Sequence, residues 1–137
     1  MITKDKVFII TGASAGIGSE IAYQLAKKNA HVVCAARTIE KLETVCKNIK
    51  DKGGSAVPIQ ADITDKEQCE KIIFHTVKTF NRIDGLILNA GISMWAKFDE
   101  IQNVSFFKTI MDTNYLGSVY CVHAALPFLK KTKGKII

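Results

Sequence analysis

The sequence predicts an α/β fold built as a doubly wound parallel sheet, and three observations carry that prediction. Short apolar runs alternate with longer stretches whose apolar residues recur every three or four positions. One run, Val32-Val33-Cys34-Ala35-Ala36, is continuously apolar, which suits a strand covered on both faces better than a half-wet one. Another, Val7-Phe8-Ile9-Ile10, leads straight into a glycine turn, Thr11-Gly12-Ala13-Ser14-Ala15-Gly16-Ile17-Gly18, that opens a helical pattern.

Taken in order, Val7-Phe8-Ile9-Ile10 is the first strand, and Ile17, Ile21, Ala22, Leu25 and Ala26 share one face of the first helix. After the second strand at Val32 to Ala36, a helix with Ile39, Leu42, Val45, Cys46 and Ile49 on its apolar side stops at Lys52-Gly53-Gly54. Ala56-Val57-Pro58-Ile59 is a third strand, and its proline, which cannot donate to a ladder, predicts the sheet edge. Thr64-Asp65-Lys66-Glu67 has capping-box spacing with Thr64 as N-cap, and the stripe Cys69, Ile72, Ile73, Thr76, Val77, Phe80 follows. Gly85-Leu86-Ile87-Leu88 is a fourth strand, ending in Asn89-Ala90-Gly91 and a loop with Trp95 and Phe98.

A long helix over 104–131 carries Phe107, Ile110, Met111, Leu116, Val119, Val122 and Leu126 on more than one face. Gly117 within it predicts close approach of another element, and Pro127 predicts a kink or an end. A buried core helix explains the apolar positions but not Asn114. Gly134-Lys135-Ile136-Ile137 begins a fifth β-branched strand in which the sequence stops, so the expectation is a sheet truncated in its fifth strand and the front half of a longer protein.

Composition narrows the function classes. With 137 residues, 47% of them hydrophobic and 23% charged, the chain is one globular domain's worth. No apolar run reaches the roughly 20 residues of a transmembrane helix, and the first residues lack a signal-peptide core, so a cytoplasmic setting is the default. The net charge of +6 is spread along helix faces instead of clustered between aromatics, which argues against nucleic acid as a partner. Cys34, Cys46, Cys69 and Cys121 fall singly at apolar positions and read as buried, reduced thiols; with His31, His75 and His123 they show no metal-ligand spacing.

The glycine turn is where chemistry enters. Glycines let the backbone approach a diphosphate closely, and the free N–H groups of the new helix favour an anion there. A three-glycine turn alone also fits an ordinary loop; the strand before it and the amphipathic helix after it point to phosphate binding.

The assembled residues resemble the short-chain dehydrogenase/reductase family over the whole chain, as that family's N-terminal half. Thr11 to Gly18 resembles its T-G-x-x-x-G-x-G cofactor turn, Asn89-Ala90-Gly91 the end of its N-N-A-G motif, Asp62 its adenine-contacting acid, and Asn114 its catalytic asparagine, which implies a distortion of the long helix there. Ala22 to Arg37 and Ala124 to Lys130 are most similar to the branch of 11-beta-hydroxysteroid dehydrogenases and carbonyl reductases. The resemblance implies a Rossmann-like sheet with residues 1–137 as one dinucleotide-binding domain, incomplete at its C-terminus. It implies cofactor contacts from Gly12, Ser14, Ala15, Gly16, Ile17, Gly18, Arg37, Asp62, Ile63, Asn89, Ala90 and Gly91. Asp62 also fits a surface N-cap, and Asn89 to Gly91 a tight loop. Further implications are a carbonyl or alcohol substrate, a homo-oligomer through helix 104–131, and membrane association in any anchor-bearing related form.

Charge selects among cofactors. NAD-selective sheets of this type place an acid at the end of the second strand for the ribose 2′-hydroxyl, whereas here Ala36-Arg37 stands there. A guanidinium pairs with a 2′-phosphate, so NADP is preferred over NAD. The glycine turn has Ala15 where many NADP-selective members carry a second basic residue, and Leu88 replaces the first Asn of N-N-A-G. The family's serine and Tyr-x-x-x-Lys pair do not occur; Tyr23 and Lys27 have that spacing but lie on the first helix. The 137 residues are therefore expected to bind without turnover. The competing reading is a non-catalytic nucleotide-binding or dimerisation module.

Overall fold

A computed structural model describes residues 3–137 as a five-stranded, wholly parallel sheet in the order β3-β2-β1-β4-β5. The strands are β1 (Val7–Thr11), β2 (His31–Ala36), β3 (Ser55–Gln60), β4 (Gly85–Ile87) and β5 (Lys135–Ile136). Between them run α1 (Gly16–Lys27), α2 (Ile39–Asp51), α3 (Lys66–Phe80), α4 (Ser105–Met111) and α5 (Gly117–Thr132). β3 is the outermost strand on its side, the position Pro58 requires.

β1 to β4 bury alternate side chains on opposite faces, giving two cores, while β5 is exposed. Phe8, Ile10, Val32 and Cys34 pack under Ala22 and Ala26 of α1 and Leu42, Val45 and Ile49 of α2. Ile9, Val33 and Leu86 pack under Ile72 and Ile73 of α3 and Cys121, Ala125 and Leu129 of α5. All four cysteines are buried and unbridged.

The chain runs outward from β1 to β3, then returns to place β4 on the other side of β1. That reversal opens a crevice above the carboxyl ends of β1 and β4. At the amino ends, the buried Asp84 carboxylate accepts a 2.9 Å bond from the Val7 amide and two 2.7 Å bonds from the Arg82 guanidinium, with Lys6 at 3.4 Å.

One local expectation is corrected and two others are sharpened. The N-cap of α3 is Asp65, not Thr64: the Asp65 carboxylate accepts from the amides of Glu67 and Gln68, and the Gln68 side-chain amide holds it below the usual carboxylate range. Thr64 turns back, donating its amide and hydroxyl to Asp62 Oδ1 at 3.0 and 2.8 Å. Within the stretch 104–131 a π-helical turn over Asp112–Leu116 separates α4 from α5, at the distortion that the resemblance implies around Asn114. Of the kink or end expected at Pro127, the end does not occur: α5 continues to Thr132.

Candidate functional site

A cleft of about 400 Å³ lies at the carboxyl edge of the sheet. The glycine turn supplies Gly12, Ser14, Ala15 and Ile17; the end of β2 supplies Ala35, Ala36, Arg37 and Thr38. Ala61, Asp62 and Ile63 come from the exit of β3, Asn89 to Ile92 from the exit of β4, and Thr113 from the π-helical turn.

Each glycine of the turn has its own physical reason. Gly12 adopts φ +67°, and a Cβ there would lie 2.8 Å from Ala90 Cα. Gly16 adopts φ +59° in open space, so only its left-handed conformation demands glycine. At Gly18 the conformation is ordinary but a Cβ would strike the Gly12 carbonyl and lie 2.5 Å from Asn89 Nδ2. Ala15 caps α1 without a side-chain hydrogen bond, leaving the amides of the first turn without a side-chain partner among the described residues. That first turn stands above the sheet, so Ile17 is 74% exposed at the cleft mouth and not on the core face with Ala22 and Ala26.

The walls are stitched together from residues far apart in sequence. Asn89 Nδ2 donates to the carbonyls of Thr11 (3.1 Å) and Gly12 (3.3 Å), while the Ala90 amide donates to Thr11 Oγ1 (3.1 Å). Thr11 Oγ1 donates in turn to the Ile87 carbonyl, so β1 and β4 are locked where the cleft begins. Thr11→Val removes this hydroxyl and orphans the Ala90 amide. It is expected to lower unfolding free energy in urea by about 1–3 kcal/mol, with Thr11→Ser close to wild type.

Arg37 and Asp62 are the charged side chains lining the cleft. The Arg37 guanidinium is exposed and forms no ion pair among the described residues. Asp62 uses Oδ1 for Thr64, leaving Oδ2 without a partner among the described residues, and its amide donates to Gln68 Oε1 at 2.8 Å.

Ten of the residues singled out by sequence thus surround one cleft: Gly12, Ser14, Ala15, Ile17, Arg37, Asp62, Ile63, Asn89, Ala90 and Gly91. Gly16, Gly18 and Asn114 lie outside its wall. Asn114 instead clasps the backbone of Ile92, accepting from its amide at 2.9 Å and donating to its carbonyl at 2.8 Å. The sequence reading did not single out the lining residues Ala35, Ala36, Thr38, Ala61, Ile92 and Thr113. All but Ala35 adjoin a residue it did single out, and that adjacency was the only available signal.

A sequence model of the short chain dehydrogenases matches residues 6–137. The chain belongs to the short-chain dehydrogenase family. Within it, the chain is 38% identical over 133 residues to 11-beta-hydroxysteroid dehydrogenase 1A of Arabidopsis thaliana, covering 96% of this chain and 38% of that protein. It is 40% identical to 11-beta-hydroxysteroid dehydrogenase-like 2 of the same plant, over 96% of this chain and 43% of the relative. The chain thus spans about two fifths of the length of the curated relatives it matches. Among solved structures of dehydrogenases, an alcohol dehydrogenase from the archaeon Thermococcus sibiricus, complexed with 5-hydroxy-NADP, superposes with a TM-score of 0.91 at 28% identity. That match covers 97% of this chain and 57% of the other.

Proposed function

We propose that this short-chain dehydrogenase binds NADP(H) in the cleft and forms the cofactor-binding half of an enzyme that interconverts a carbonyl and an alcohol. The cofactor would supply or accept the hydride. The amides at the start of α1 would hold its diphosphate, Asp62 Oδ2 would accept from the adenine amino group, and the backbone of Asn89 to Gly91 would meet a ribose. Asn114 would act through Ile92, fixing the wall beside the nicotinamide end. The 5-hydroxy-NADP in the archaeal alcohol dehydrogenase supports a nicotinamide dinucleotide as ligand.

The observation that carries the choice of NADP is Arg37, exposed at the end of β2 where an acid would serve NAD, and without an ion-pair partner among the described residues. Calorimetric titration tests it: wild type is expected to bind NADPH at least about tenfold tighter than NADH, a difference of ~1.4 kcal/mol. Arg37→Asp should reverse that order. Equal affinities in wild type would sink the preference. Because the 137 residues contain no Tyr-x-x-x-Lys in the required element, NADPH should bind without being consumed in the presence of a carbonyl compound.

A second reading, a non-catalytic nucleotide-binding and dimerisation module, is favoured by one observation. Val104, Phe107, Met111, Tyr115, Val119 and Leu126 form a helical stripe that is exposed throughout. Homo-oligomerisation through this stripe belongs to both readings. Among the described residues no helix is long and apolar enough to cross a membrane, and four buried thiols fit a reducing, cytoplasmic setting.

A further inference from the structure

Ile63 sits at the cofactor cleft, yet the groups that fix it belong to elements outside that cleft. Its side chain is buried against the first residue of α5: a Cβ at Gly117 would lie 2.7 Å from Ile63 Cδ1, 2.8 Å from Cγ1 and 3.0 Å from its carbonyl oxygen. Gly117 has ordinary helical dihedrals, φ −58° and ψ −41°, so conformation gives no reason for glycine there; the space taken by Ile63 does. The Ile63 carbonyl accepts the thiol of buried Cys69 on α3 at 3.3 Å. Contact with the Cys121 thiol and burial together push the Cys69 thiol well above its ordinary range, which keeps the donor proton in place. Three residues before Gly117, Asn114 clasps Ile92 on the cleft's other side.

We propose that Gly117 and Cys69 are positioning residues for the adenine side of the cleft. By admitting Ile63 and anchoring its carbonyl, they set the segment Ala61 to Ile63 and hence the Asp62 carboxylate. One helical turn, from Asn114 to Gly117, then grips both sides of the cleft from below and fixes its width. A methyl group at Gly117 drives Ile63 outward, because the contact includes backbone oxygen and cannot be relieved by a side-chain rotation alone. Removal of the Cys69 donor leaves the Ile63 carbonyl unsatisfied and the segment less firmly held.

The inference rests on the reading of the cleft as a dinucleotide site, and two measurements separate the two. The first is calorimetry with NADPH, adenosine 2′,5′-bisphosphate and reduced nicotinamide mononucleotide on wild type, Gly117→Ala, Cys69→Val and Cys69→Ser. Adenosine bisphosphate affinity is expected to fall about tenfold in Gly117→Ala and about threefold in Cys69→Val, the scale of one lost contact or hydrogen bond. Cys69→Ser, which keeps a donor, should restore it, and mononucleotide affinity should stay within error throughout. Equal losses for both halves of the cofactor, or no loss in either, would overturn the proposal. If wild type binds none of the three ligands, the cofactor reading fails instead.

The second measurement needs no ligand. Amide hydrogen exchange at 62–64 should quicken in Gly117→Ala and Cys69→Val and not in Cys69→Ser; unchanged exchange in both would overturn the positioning role. The cysteine pair keeps the test decisive if Gly117→Ala does not fold.

Discussion

Gly18→Ala is expected to abolish dinucleotide binding, lowering NADPH affinity by a hundredfold or more, which corresponds to ~2.7 kcal/mol. The added methyl group meets the Gly12 carbonyl, the Gly12 carbonyl carbon at 2.9 Å and the Asn89 amide at 2.5 Å, so the turn, the start of α1 and the β4 exit must all move. Overpacking of this kind costs about 1–3 kcal/mol of stability as well. Gly53→Ala is the control. Gly53 has φ +81° but nothing within 4 Å, so its substitution should cost about 1–2 kcal/mol of backbone strain and leave NADPH affinity unchanged. Calorimetry and urea unfolding on the two variants distinguish damage to the cleft from damage to the fold; equal NADPH affinity in the two variants would refute the assignment of the cleft.

Asp84→Ala is expected to destabilise the protein by about 2–3 kcal/mol at pH 7, through loss of the buried acceptor of the Val7 amide and of the Arg82 and Lys6 pairs. The figure lies at the low end for a buried ion pair because Arg82 and Lys6 are 41% and 39% exposed, so water screens them and replaces part of what they lose. The effect should depend on pH. Burial alone pushes the Asp84 carboxyl up, but the Arg82 guanidinium, the Val7 amide and Lys6 outweigh it and hold the group below its ordinary value. A carboxyl lowered on folding stabilises fully above its unfolded pKa, near 4, and loses that contribution as pH falls through the lower folded value. The gap between wild type and Asp84→Ala in urea unfolding should therefore narrow from pH 7 to pH 3. A gap that stayed constant would show that the carboxylate charge does not contribute.

Much of this was legible in sequence because it follows from local rules. Continuous apolar runs marked strands covered on both faces, Pro58 marked the edge, and the glycine turn picked out residues that line the cleft. The α3 cap was misread because Thr64 and Asp65 are both good capping residues, and the deciding factor is tertiary: Asp62 recruits Thr64, while Gln68 reaches back to Asp65. The π-helical turn has no signature in local propensity, since every residue of Asp112–Leu116 is compatible with an ordinary helix; the resemblance alone implied a distortion at Asn114. It coincides with the clasp of Asn114 on Ile92, 22 residues away. Ile17 fits a helical stripe by spacing, but the helix starts at Gly16, and one turn so close to the end has no sheet beneath it.

The bonds from Asn89 to Thr11 and Gly12 join residues 78 and 77 positions apart, while β1, β2 and β3 meet through shorter crossovers. Loop-closure entropy favours assembly of those three strands before β4 arrives, which makes completion of the cleft a late event in folding. A ligand that touches both walls then recognises only the finished protein. At a hundred times its dissociation constant it would add ~2.7 kcal/mol to the unfolding free energy, so cofactor supply would tune the lifetime of the folded chain.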